Sequence, residues 1–183
     1  MARLYLIRHG EPAGSWSDTP DPGLSPLGHE QAKAVAERLQ TFGALYIVTS
    51  PLRRARETAA PFAAMRGVTA TIAPAVSEIP TPSGVALELR GEWLRSLMTG
   101  TWSQAGQALR DWRGQVIAYL MTLPRNTAIF SHYVAINAAA AAARRDDRVT
   151  IFAPTHASVT ILGTTPLGFE EIEFGRAGET TVR

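Results

Sequence analysis

Short apolar runs that alternate with segments of helical period constrain this chain more than any other feature. "LYLIR" from Leu4, "ALYIVTS" from Ala44 and "TAIFSH" from Thr127 have the apolar, β-branched character of buried strands. Each leads towards a helical pattern. After the first run and a loop rich in Pro, Gly, Ser and Asp comes "LSPLGHEQAKAVAERLQTFG", with Ser25 placed as N-cap and Pro26 at the first helical position. Ala32, Val35, Ala36 and Leu39 share one face of it, and Gly43 closes it. The second run enters "SPLRRARETAAPFAAM", where Pro61 is expected to kink or shorten the helix. The third enters "YVAINAAAAAARR", whose alanines favour helix strongly.

The remaining segments fit the same scheme. "VTATIAPAVSEI" reads as a strand followed by the turn "IPTPSG", and Val85 to Leu123 as two helices separated near Gly100 and Gly106. "VTIFAP", "ASVTILGTT" and "GFEEIEFG" read as strands, the last two forming a hairpin around Pro166 to Gly168. Strand and helix in alternation imply an α/β fold, a three-layer α/β/α sandwich around a mostly parallel central sheet. With no repeat or linker, residues 1–183 are expected to form a single domain.

In such sheets ligands bind outside the carboxyl ends of the strands. His9 and His132 each end an apolar strand, so their imidazoles are expected at one edge of the sheet. Arg8 adjoins His9. Arg54 follows "IVTSP" in the first turn of a helix, where free N–H groups and the positive dipole end already favour an anion. Burying such cations unpaired is costly, so their partner must be a ligand. Gly10 lets backbone approach closely there and is counted with Arg8 and Arg54 among the expected phosphate-binding residues. The arrangement suits a phosphoryl group: guanidinium forks neutralise its oxygens, and a neutral imidazole can attack phosphorus.

Composition narrows the alternatives. The net charge is +2 and no Lys/Arg run exceeds a pair, so nucleic-acid binding is not expected. Without cysteine there is no disulfide, thiolate metal site or Cys nucleophile. Cytoplasmic location is the expectation, given also that the first residues lack a signal-peptide pattern. The longest apolar run, "AINAAAAAA" from Ala135, is too short to span a bilayer, so no membrane role is expected. Neither metal nor cofactor is called for, and oligomeric state is not legible.

Taken in order, "LIRHGEP", "LSPLGHEQA", "SPLRRARETA" and "FSHYVAIN" resemble the motifs of the histidine phosphatase superfamily, also called phosphoglycerate mutase-like, over essentially the whole chain. The resemblance implies that fold and a cofactor-independent hydrolysis of phosphomonoesters through a phosphohistidine. His9 would be the phosphorylated nucleophile, Arg8 and Arg54 the phosphate clamps, and His132 the second histidine on the transferred group. Arg54, directly before the alanine, fits the motif better than Arg53. Glu78 in "VSEIP" takes the place of the proton donor. Tyr133 stands where the family more often has glycine, and Ser15 is a weak candidate for the loop residue that completes the phosphate site. A small-molecule phosphate ester is the implied substrate. Phosphoglycerate mutase-type transfer, a phosphatase acting on protein phosphohistidine and a non-catalytic phospholigand-binding module remain alternatives. The family's mutases are generally longer.

Other residues read plainly. His29 falls on the outer face of its helix with Lys33 and Glu37, His156 is structural at a strand start after Pro154, and Arg90 and Arg95 are solvated helix charges. Trp93, Trp102 and Trp112, at helical spacing, read as core rather than pocket wall.

Overall fold

The computed structural model describes residues 1–14 and 21–175. Among the described residues six strands form one sheet: β1 (Arg3–Arg8), β2 (Tyr46–Thr49), β3 (Thr71–Ile72), β4 (Thr127–Ser131), β5 (Val159–Thr165) and β6 (Gly168–Glu173). Their order is β3-β2-β4-β1-β5-β6. The pairs β3/β2, β2/β4 and β4/β1 are parallel, while β5 runs antiparallel to β1 and closes a hairpin with β6. Five α-helices cover it: α1 (Pro26–Gln40), α2 (Arg53–Arg66), α3 (Arg90–Met98), α4 (Gln107–Met121) and α5 (Tyr133–Arg144). The three-layer α/β/α arrangement expected from the alternation is the observed one.

Alternation along the strands decides which helix each face meets. Tyr5 and Ile7 of β1 join Ile47, Ala128 and Phe130 in packing against Val35, Ala36 and Leu39 of α1 and Ala59, Phe62 and Ala63 of α2. Leu4 and Leu6 point the other way, with Val48 and Ile129, onto Val116 and Leu120 of α4 and Ile136 and Ala139 of α5. Each of these large side chains contributes on the order of 1.5–3 kcal/mol by leaving water. A third cluster, built on Trp102, Leu94, Leu109 and Val134, ties α3 and α4 to α5, with Trp93 and Trp112 packed against it. The tryptophans belong to this cluster, as expected.

Local chemistry sets the helix ends. The Ser25 hydroxyl accepts from Gly28 N–H at 3.0 Å, and Pro26 opens α1. Gly67, at φ 62°, closes α2 in the left-handed conformation that favours glycine. Pro61 neither breaks nor shortens α2, which runs on to Arg66. Two strand expectations are corrected. The third strand keeps only Thr71–Ile72 because a 3-10 turn opening on Pro74 follows at once. "VTIFAP" is not a strand: its Ile151 and Phe152 amides donate to Asn137 Oδ1 of α5 at 2.9 and 3.3 Å, so they seek no sheet partner. No helix among the described residues is long and apolar enough to cross a membrane.

Candidate active site

Register brings the carboxyl ends of β1, β4 and β2 together. Arg8 pairs with Ser131. His9 N–H donates to Ser131 O at 3.0 Å, and Ser50 N–H donates to Phe130 O at 2.9 Å. His9, His132 and Ser50, the residues immediately after the three strands, therefore share one edge. The ring centroids of His9 and His132 are 5.2 Å apart. Both side chains are buried, His9 at 3% and His132 at 0% exposure.

Hydrogen bonds fix the His9 tautomer. Arg54 Nε–H donates to His9 Nε2 at 3.1 Å, and a guanidinium cannot accept, so Nε2 carries the lone pair. The proton is then on Nδ1, which donates to Gly10 O at 2.7 Å. Burial, reinforced by Arg54, His132 and Arg8, holds the His9 pKa well below the ordinary imidazole value. The result is a neutral ring whose basic nitrogen faces a guanidinium.

The arginines are held from below. Arg8 Nη1 donates to Pro154 O at 2.7 Å, and its guanidinium lies 5.1 Å from the centroid of the Tyr133 ring. Tyr133 thus supports Arg8. Burial lowers the Arg8 pKa to about 10, although Glu78 opposes the shift. Arg54, 1% exposed in the first turn of α2, shifts downward for the same reason. Asp21 accepts from Arg53 N–H at 2.9 Å and lies 3.8 Å from Arg54 Nη1, an acidic group at the N-terminus of α2. Arg90, at the start of α3, is half-buried rather than solvated and acts electrostatically on Glu78, Arg54 and His132.

His132 precedes α5 as its N-cap, and its Nε2 is 2.8 Å from Ser50 Oγ. Its Nδ1 is buried without a hydrogen-bond partner. Burial and then Arg54 and Arg8 keep this ring neutral as well. Glu78 reaches the same place from the turn after β3. Its carboxylate accepts from Ile79 N–H at 3.0 Å and from Val134 N–H in the first turn of α5 at 3.2 Å. Burial raises its pKa despite those donors and Arg54. Glu78 can therefore hold a proton at a pH where an exposed carboxylate cannot.

Gly10 is glycine for a packing reason. A Cβ there would lie 2.6 Å from Gly28 O, and one on Gly28 would lie 2.1 Å from Glu11 O, so α1 crosses the loop backbone to backbone. The Gly10 amide is committed to Thr58 Oγ1 at 2.9 Å. His29 is exposed, and Ser15 lies outside the described residues. Sequence reasoning passed over Ser50, Thr58, Arg90 and His156 as parts of this edge. For Ser50 a signal existed, since it directly precedes the proline that opens the Arg54 segment.

Residues 4–175 match the family model of the histidine phosphatase superfamily, branch 1. The chain belongs to that superfamily. A probable phosphoglycerate mutase GpmB of Citrobacter koseri is 30% identical over 161 residues, spanning 74% of this chain and 72% of that protein. Its namesake in Enterobacter sp. is 32% identical over 117 residues, and there the match spans only 52% of the relative's length. Among solved structures, a mycobacterial glucosyl-3-phosphoglycerate phosphatase complexed with VO3 superposes at TM-score 0.71 with 23% identity, over 94% of this chain and 98% of that one. Phosphoserine phosphatase from Entamoeba histolytica, in complex with 3-phosphoglyceric acid, gives 0.74 with 22% identity over 97% and 98%. At these identities the two structures show a shared fold.

Proposed function

We propose that this histidine phosphatase superfamily member is a cofactor-independent phosphatase that hydrolyses a small phosphomonoester through a phosphohistidine on His9. The observation that carries the reading is the prepared nucleophile: a buried, neutral imidazole with its Nε2 lone pair turned to Arg54. A module that only binds phosphate needs the arginines but not that nitrogen. In the first step His9 Nε2 forms a bond to phosphorus as the ester P–O bond breaks, and Glu78 gives its proton to the departing alkoxide. Arg8 and Arg54 neutralise the phosphoryl oxygens, and His132 donates to one of them from Nδ1 when its proton is there. In the second step the Glu78 carboxylate takes a proton from water, which displaces His9 and leaves inorganic phosphate. Gly10 serves by holding the His9 loop against α1, with its carbonyl fixing the tautomer.

Brief exposure to p-nitrophenyl phosphate, followed by quenching in base, should leave an acid-labile phosphoryl group on His9 that His9→Ala lacks. Ligand binding without any label would sink the mechanism. The names of the curated relatives favour a second reading, transfer of the phosphoryl group back to the same molecule. Supplying 3-phosphoglycerate separates the two, since the phosphatase releases inorganic phosphate and the mutase forms 2-phosphoglycerate. Cytoplasmic location belongs to the same proposal, supported by a sequence without cysteine. Cell fractionation tests it.

A further inference from the structure

His156 belongs to the loop that leads into β5, and its ring centroid is 5.7 Å from that of His9, with the planes at 37°. The loop is fastened to the strand that carries the nucleophile. Arg8 N–H donates to Ser158 O at 3.2 Å, Ala157 N–H donates to Arg8 O at 3.0 Å, and Arg8 Nη1 donates to Pro154 O. Between these ties Ala157 takes φ 54°, a left-handed conformation that a residue with a Cβ keeps only where its surroundings hold it. The backbone on either side of His156 is thus tied to Arg8 at the end of β1, which sets its Cα beside His9. His9 and His132 are buried, whereas His156 is half-exposed, so it is the imidazole of the three that meets both solvent and the nucleophile.

We propose that His156 is a ligand-contacting residue of this pocket, its ring donating a hydrogen bond to an oxygen of the phosphorylated substrate on the solvent side of His9. The inference rests on the reading of the site as a phosphoryl pocket. His156 takes no covalent part, and the nucleophile remains His9. The groups around it are Arg8 and His9 at the end of β1, Tyr133 of α5 beneath the Arg8 guanidinium, and, beyond His9, Arg54 and His132. Burial and Arg8 lower its pKa to about 4, so the ring is neutral before the ligand arrives. A neutral imidazole still donates one N–H. A phosphoryl dianion beside it raises that pKa, and the neutral ring's N–H donates to a charged oxygen, a bond stronger than one between neutral groups.

Calorimetric titration with inorganic phosphate tests this without requiring turnover. His156→Ala should weaken phosphate binding by roughly tenfold, the effect of one hydrogen bond to a charged group. His156→Phe keeps the bulk of the ring without a donor, and it should do the same if the alanine variant folds poorly. His156→Gln should restore most of the affinity, because an amide still donates. In the wild-type protein, the His156 ring signals followed by NMR should titrate near pH 4 without ligand and at higher pH with saturating phosphate. Wild-type affinity in both donor-free variants, with a His156 titration that phosphate leaves unmoved, would overturn the inference. That outcome leaves the phosphohistidine label on His9 untouched, whereas phosphate binding without the label sinks the catalytic reading and not this one.

Discussion

Replacing Glu78 by Gln tests its proposed role as proton donor apart from every other element of the site. The side chains are nearly isosteric, and the amide oxygen can still accept from Ile79 and Val134 N–H, so the first turn of α5 and His132 stay in place. What disappears is the proton. For an alkyl phosphomonoester the leaving alkoxide is strongly basic, and losing its general acid should lower kcat/KM by about 10²–10⁴, a rise in barrier of roughly 3–5 kcal/mol. p-Nitrophenolate leaves without help, so its kcat/KM should fall by less than about 10-fold. The comparison must use kcat/KM, which reports steps up to departure of the leaving group. Hydrolysis of the phosphohistidine is common to both substrates and enters kcat. Stability supplies an internal control. The folded pKa of Glu78 is raised by burial, so the folded state binds that proton more tightly than the unfolded one and stability falls as pH rises above about 4.5. Glu78→Gln removes that loss, and its Tm at pH 7 to 8 should equal or exceed the wild-type value, the advantage vanishing in acid. Equal losses on alkyl and aryl substrates, or full activity on both, would refute the assignment.

Three further outcomes are expected. Ser50→Ala takes away the hydroxyl 2.8 Å from His132 Nε2, and kcat/KM should drop by roughly tenfold, the effect of one hydrogen bond that orients the imidazole proposed to hold the phosphoryl group; unchanged kinetics would show that packing alone holds the ring. Gly28→Ala sets a Cβ 2.1 Å from Glu11 O, a contact with backbone that cannot rotate away, and should cost about 2–3 kcal/mol, lowering Tm by roughly 5–10 °C in thermal denaturation. Three histidines with lowered pKa values make the protein sensitive to acid. The folded pKa values of His9, His132 and His156 lie below the unfolded value, so the unfolded state binds more protons and stability is lost as pH falls below about 6.5, opposed by Glu78 alone among these four. Tm should fall between pH 7.5 and 5, and His132→Asn should make that fall shallower; a Tm independent of pH over this range contradicts the neutral histidines.

The parts of the site that the sequence announces are those whose position follows from a local element. His9 and His132 end apolar strands, Arg54 opens a helix behind a Ser-Pro pair, and parallel neighbours must present those ends together. Ser25 and Pro26 mark the start of α1 in the same local way. What stays hidden depends on contacts between residues distant in sequence. His156 reads as structural because its neighbour, His9, is brought to it only when β5 returns antiparallel beside β1. "VTIFAP" has strand composition, yet an asparagine side chain from α5 satisfies its amides first. Arg90 looks like an ordinary helix charge until α3 is placed beside Glu78. Periodicity reports which face of an element is buried and is silent on which element buries it.

One physical cause runs through the electrostatics of the pocket. Burial lowers the pKa of Arg8, Arg54, His9 and His132, and it raises that of Glu78. If charge pairing dominated, the arginines would hold the carboxyl below its usual range; it lies above, so desolvation outweighs their attraction. Arg8 and Arg54 are buried beside a carboxyl that resists ionising, and Asp21 lies 3.8 Å from Arg54 Nη1. The same burial that makes this arrangement costly to fold makes each guanidinium a stronger partner for an anion, because a charge removed from solvent is screened less. In the proposed mechanism a phosphoryl dianion adds its negative charge beside these guanidiniums, next to the neutral His9 nitrogen. The folding cost of burying these cations is thus the counterpart of the affinity proposed for a phosphoryl group.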